Sequence, residues 1–114
     1  MTLYSEGKIE HALKSIDLLI SQYPDEAILH NFKGTCCYIL NKKNKAINNF
    51  LKAITIKPDY AEAHYNLANV FHYTGSLDDA ISSYENAIKI NPNYIEAYNN
   101  MGSVYRKVGE FEKG

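Results

Sequence analysis

At 114 residues the chain is one small domain that buries roughly two thirds of the surface its unfolded form exposes, which leaves little interior for a deep catalytic cavity. Twelve Lys and Arg against thirteen Asp and Glu give a net charge of −1, so no basic field points to nucleic acid or to an anionic membrane surface. A hydrophobic fraction of 46% with 22% charged residues excludes intrinsic disorder; no apolar run approaches the ~18 residues of a membrane span, and the opening MTLYSE lacks the basic-then-apolar order of a secretory signal.

The elements follow from a 34-residue period. Pro24, Pro58 and Pro92 stand 34 residues apart, and the same step relates Ala12, Ala46 and Ala80. It also relates Ile16, Phe50 and Tyr84; Leu19, Ala53 and Ala87; Gly34, Ala68 and Gly102; and Gly7, Asn41, Gly75 and Gly109. Counting back, the chain opens near the end of one helix and continues in a second over about residues 8–23. A full unit follows over 27–60. The unit over 61–94 shows the pattern most clearly. Ala61, His64, Leu67, Ala68 and Phe71 form one stripe at helical spacing, and Asp59 with Glu62 reads as a D-x-x-E capping box. Gly75 closes that helix, and Ser76 caps the next. Leu77, Ala80, Ile81, Tyr84, Ala87 and Ile88 form the second stripe, which Asn91-Pro92 ends because a residue before proline is pushed out of helical space. A last unit begins at Ile95 and stops before its second helix is complete. No segment alternates at period two as a strand does. The small residues at 34, 68 and 102 let helix backbones approach closely, and the bulky Phe50 and Tyr84 fill the space beside them.

Helix, tight turn, helix, proline turn at 34 residues resembles the tetratricopeptide repeat. Residues 61–94 match that family with Leu67, Ala68, Phe71, Ala80, Tyr84, Ala87 and Pro92; the preceding unit keeps Gly34, Ala46, Phe50, Ala53 and Pro58. Departures fall at His64, at Lys33 where the family has Leu, and at Cys37 where it has an aromatic. The resemblance implies an all-α, right-handed α-solenoid of about three repeats forming a single domain, with residues 1–26 and 95–114 as partial units.

Catalytic and metal chemistry find no support. His30 and His64 are equivalent positions in successive repeats and read as packing residues, since a metal needs three or four converging ligands. Cys36 and Cys37 are adjacent, too close for an unstrained disulfide, and read as core-filling thiols; reduced thiols point to the cytoplasm. Lys42, Lys43 and Lys45 read as a solvated helix start. Phosphate loops and hydrolase motifs are missing from the sequence. The expectation is therefore a non-catalytic protein with no metal, no cofactor, no nucleic acid and no membrane as partner.

What the resemblance implies is a concave groove lined by the first helix of each repeat, holding a protein or peptide. The matching positions are Ile28, Asn31, Phe32, Thr35, Tyr38 and Ile39 in one unit. The next unit offers Glu62, Tyr65, Asn66, Asn69, His72 and Tyr73, and the last Glu96, Asn99, Asn100, Ser103, Arg106 and Lys107, with Tyr4 and Ser5 extending the line. The candidate contacts are Asn31, Phe32, Thr35, Tyr38, Tyr65, Asn66, Asn69, His72, Tyr73, Asn99, Asn100, Ser103, Arg106 and Lys107. Asn66 and Asn100 lie one repeat apart, and an amide can bond both polar groups of a peptide backbone. This resembles the asparagine ladder in the repeats of protein N-acetylglucosaminyltransferases, with Phe32 interrupting it. Asn and Tyr are also enriched alongside Ile and Lys, as in A/T-rich coding sequence, which explains them without function. Only Arg106 and Lys107 are basic among these positions, against a clamp for a terminal carboxylate. Two alternatives stay open: a module that oligomerises through uncapped ends, or the N-terminal recruiting part of a larger transferase.

Overall fold

The structure, a computed structural model, describes residues 3–113, with side chains described for residues 6–110. Six helices follow in order: α1 (Leu3–Gln22), α2 (Ala27–Ile39), α3 (Lys43–Ile56), α4 (Ala61–Thr74), α5 (Leu77–Ile90) and α6 (Ile95–Lys113). Among the described residues there is no strand. The chain divides into two compact units, residues 1–58 and 59–114.

In the first unit α2 packs on α3 and α1 packs on α2. The interior comes from Ala27, Cys36 and Cys37 of α2 and Ala46, Phe50 and Ala53 of α3. Gly34 is the point of closest approach. A Cβ added there would stand 2.6 Å from Phe50 Cε1, so the ring occupies the space the missing side chain leaves. His30 is buried, and its Nε2 lies 2.8 Å from the carbonyl of Pro24. A carbonyl only accepts, so Nε2 carries the proton and the ring ties the proline turn to α2. Lys33 leaves the family pattern for a reason visible here: its Nζ lies 2.6 Å from Asp17 of α1, an ion pair in place of a leucine contact.

In the second unit α4 packs on α5, and α5 on α6, with a smaller contact between α4 and α6. Ala68, Ala80, Tyr84, Ala87, Ala97 and Val104 form its core, flanked by Phe71, Leu77, Ile81, Ile88 and Met101. Ala68, Phe71, Leu77, Ala80, Ile81, Tyr84, Ala87 and Ile88 are positions the two stripes mark, while Ala97, Met101 and Val104 lie on α6, outside both stripes.

The turns repeat one design. After α2, Asn41 adopts φ 62° and Lys42 N–H reaches back to the Cys37 carbonyl at 2.8 Å. After α4, Gly75 adopts φ 87° and Ser76 N–H bonds the Phe71 carbonyl at 2.9 Å. Both are Schellman closures, which need a residue that accepts left-handed backbone, and Gly and Asn do so most easily. The second kind of turn relies on proline: Lys57 and Asn91, each before a proline, are extended and end α3 and α5.

Three local expectations need correction. Tyr60, not Asp59, is the N-cap of α4, and no side chain bonds there; Ser76 does sit at the N-cap of α5, again without a side-chain bond. The expected break near Gly7 is absent: α1 is one unbroken helix. α6 likewise runs straight through Gly109. A turn opens several helical hydrogen bonds and is favoured where the returning helix buries a face. Glycine within a helix costs only about 1 kcal/mol relative to alanine, so Gly7 and Gly109 do not by themselves force an end.

Candidate functional site

On α2 the residues at the expected groove positions present an apolar strip. Ile28, Phe32 and Ile39 are exposed and follow one another at steps of four and seven, with Thr35 between them, so they share a helix face. The Thr35 hydroxyl donates to the Asn31 carbonyl at 3.1 Å, which satisfies it within its own helix. Tyr38 is half-buried beside it. Asn31 differs from expectation: it is 1% exposed and belongs to the interior of its unit. Tyr65, its equivalent one repeat on, is a ring longer and stays partly exposed.

The corresponding faces of α4 and α6 are polar and internally braced. Tyr84 is fully buried, yet its hydroxyl donates to Asn69 Oδ1. Asn100 Nδ2 donates to that same oxygen at 3.0 Å and to the Tyr65 hydroxyl at 3.0 Å. One network therefore joins α4, α5 and α6. Tyr65 is stacked on Tyr94, with ring centres 4.9 Å apart at 29°, and inclined to Tyr84 at 6.0 Å. Burial, and then the nearby Glu62 carboxylate, push the Tyr94 phenol up to about 12, so its hydroxyl stays protonated at any physiological pH. His72 sets its ring edge-on to Tyr84 at 6.5 Å. Its Nε2 is buried without a hydrogen-bond partner. That burial, reinforced by the Lys107 ammonium, holds the imidazole below its ordinary pKa.

Around this brace lie the groups that reach solvent. Tyr73, Asn99, Arg106 and Lys107 are exposed, and Asn66 and Ser103 are half-buried. Arg106 Nη2 donates to Ser103 Oγ at 2.9 Å, which holds the guanidinium against α6. Both N–H groups of Asn100 serve internal acceptors, leaving only Oδ1 to meet a ligand.

The brace was missed in the sequence, although a signal for it is there. The first unit pairs Thr35 with Phe50; the second pairs Asn69 with Tyr84 at the same two positions. Both members change together, from a threonine and a ring without a hydroxyl to an amide and a ring with one.

Cys36 and Cys37 are buried free thiols, as expected, and burial pushes both up from the usual thiol range. Among the described residues no three His, Cys, Asp or Glu side chains converge as metal ligands, and no helix is long and apolar enough to cross a membrane.

Comparison with known proteins agrees with this architecture. A Candida albicans (strain SC5314 / ATCC MYA-2876) peroxisomal targeting signal receptor is 30% identical over 64 residues, 56% of this chain and 11% of the receptor. The crystal structure of MamA superposes with a TM-score of 0.85 at 30% identity, covering 89% of this chain and 59% of that one. The first TPR of Spaghetti (RPAP3), solved bound to the HSP90 peptide SRMEEVD, gives 0.87 at 19% identity over 93% of this chain and 84% of that one. A Thermobaculum terrenum O-GlcNAc transferase gives 0.81 at 21% identity, covering 87% of this chain but 19% of the enzyme. The last two likenesses concern the fold. The chain thus spans about a tenth of its curated relative and some three fifths of MamA. A family model described as TPR repeat matches residues 34–75 and 68–109. With helix pairs, turns and period all in register with that model, the chain belongs to the TPR repeat family.

Proposed function

We propose that the chain is a non-catalytic module that binds a segment of another protein along the inward faces of its first-of-pair helices. The observation that carries this reading is the brace beneath the α4 and α6 face. Tyr84, Asn69, Asn100 and Tyr65 are tied into one hydrogen-bond network, so the helices that carry the exposed Tyr73, Asn99, Arg106 and Lys107 are held in register before a ligand arrives. The face of α2 offers different chemistry, with Ile28, Phe32 and Ile39 suited to apolar side chains. Amides on α4 and α6 suit a peptide backbone, and Arg106 with Lys107 suits an acidic side chain. The α2 face suits a segment with apolar residues, and the α4 and α6 face one with acidic residues. The peptide-bound neighbour of the same fold supports the general mode.

Selection from a displayed peptide library, followed by anisotropy titration, tests the reading. Phe32→Ala, Tyr73→Ala and Lys107→Ala should each weaken selected peptides about tenfold, since buried aromatic or charged anchors contribute more than 1 kcal/mol, with melting unchanged. A free C-terminal carboxylate should bind no better than its amide, because α2 and α4 present no cation at these positions. Affinity indifferent to all three substitutions would refute it.

A further inference from the structure

We propose that the first unit holds a phosphate-type dianion in a cleft walled by α1, α2 and α3, where the ammonium groups of Lys33, Lys42 and Lys45 grip it. The cleft has a volume of about 320 Å³, room for a phosphate with a small organic body. Leu13, Asp17, Cys37, Asn48 and Asn49 form the rest of its wall. Ile28, Phe32 and Ile39 do not line it, so it is separate from the apolar strip on α2. Its origin shows in the repeat register. One repeat on, Leu67 stands for Lys33, Phe71 for Cys37, Ser76 for Lys42 and Asp79 for Lys45. The first unit thus has a small thiol where the second has a ring, which leaves volume. It has three cations where the second has a leucine, a serine and an aspartate, which gives that volume its charge.

Lys33 is half-buried, and its Nζ lies 2.6 Å from Asp17 Oδ1, which fixes that ammonium at the wall. Lys42 and Lys45 are exposed on long flexible stems that can close on an anion. All three cations act on Cys37: burial pushes its thiol up, and their charges pull it the other way. Against the one Asp17 carboxylate, the three ammonium groups leave two positive charges in excess along the wall. Asn49 adds a donor, since one of its N–H groups bonds the Lys45 carbonyl at 2.7 Å and the other remains. Lys42 and Lys45 also stand at the start of α3, whose first turn has no acidic residue. Cations there oppose the helix dipole, and an anion beside them relieves that opposition. Three ammonium groups and an amide N–H can all donate to a phosphate, which has the oxygens and the double charge to meet them. A carboxylate has two oxygens and one charge.

Titration of the whole chain with inorganic phosphate, followed by amide NMR at constant ionic strength, tests this at about pH 8, where phosphate is mostly a dianion. Shifts should saturate and concentrate at Leu13, Lys33, Lys42, Lys45 and Asn49. Phosphate should also raise the melting point above that in chloride of equal ionic strength. Lys42→Gln and Lys45→Gln should each weaken phosphate about threefold, and Asp17→Asn should strengthen it, because the opposing carboxylate is gone. Lys89→Gln removes the same charge on α5, outside the cleft, and should leave the affinity unchanged. A phosphoserine peptide, measured against its unphosphorylated form, forms the second arm. A phosphate-dependent affinity above that of inorganic phosphate assigns the dianion to a partner protein; an equal or lower one assigns it to a small free ligand. Shifts that never saturate, or that spread over lysines outside the cleft, overturn the proposal. So does an equal loss from Lys89→Gln, or weaker phosphate binding in Asp17→Asn.

Discussion

Replacing Gly34 by alanine sets two known effects against each other. Alanine is better than glycine in a helix interior by about 1 kcal/mol. At Gly34, however, the new methyl would lie 2.6, 2.7 and 2.9 Å from three carbons of the Phe50 ring. That ring is 1% exposed, so it cannot swing aside without displacing its surroundings. Overpacking of this kind costs roughly 1–3 kcal/mol, so the balance is a loss of about 1 kcal/mol, or a melting point lower by about 4–8 °C. Phe50→Leu removes the clashing edge, at its own cost in stability. In that background Gly34→Ala should reverse sign and stabilise by up to about 1 kcal/mol. Urea and thermal melts of the four proteins, followed by circular dichroism, measure the cycle. The reasoning is refuted if Gly34→Ala has the same effect in both backgrounds, because the ring would then not be what excludes the methyl.

Other outcomes follow from the same geometry. Tyr84→Phe should cost about 0.5–1.5 kcal/mol by deleting one hydrogen bond, and Asn69→Ala more, since it removes the acceptor shared with Asn100. The double change Asn69→Thr with Tyr84→Phe, which installs the Thr35 and Phe50 pairing of the first unit, should be less destabilising than its two parts summed; chemical denaturation reads this. His72 has a folded-state pKa below its unfolded one, so its contribution to stability is complete above about pH 6.5 and is lost as pH falls through and below that value. Melting points across that range should therefore drop more for wild type than for His72→Gln, and equal slopes would count against the burial argument. Cys36 and Cys37 should react slowly with a thiol reagent in the native state and fully in denaturant, because both are buried with raised pKa.

Much of the fold was legible in the sequence because its determinants are local. Proline acts on the residue before it, Gly75 and Asn41 close helices by their own backbone freedom, and a stripe such as Leu77, Ala80, Tyr84 and Ala87 marks its buried side wherever the helix lies. The family follows from the recurrence of these marks every 34 residues. The tertiary structure alone decided the rest. α1 and α6 continue through Gly7 and Gly109, because a glycine costs a helix only about 1 kcal/mol and does not by itself end one. Asn100 looked like a free rung, and its amide is committed to Tyr65 and Asn69, 35 and 31 residues away. Lys33 meets Asp17 on another helix, and Asn31 is covered where Tyr65 is not. A polar side chain bonds whatever the packing brings within about 3 Å, and only the folded chain says what that is.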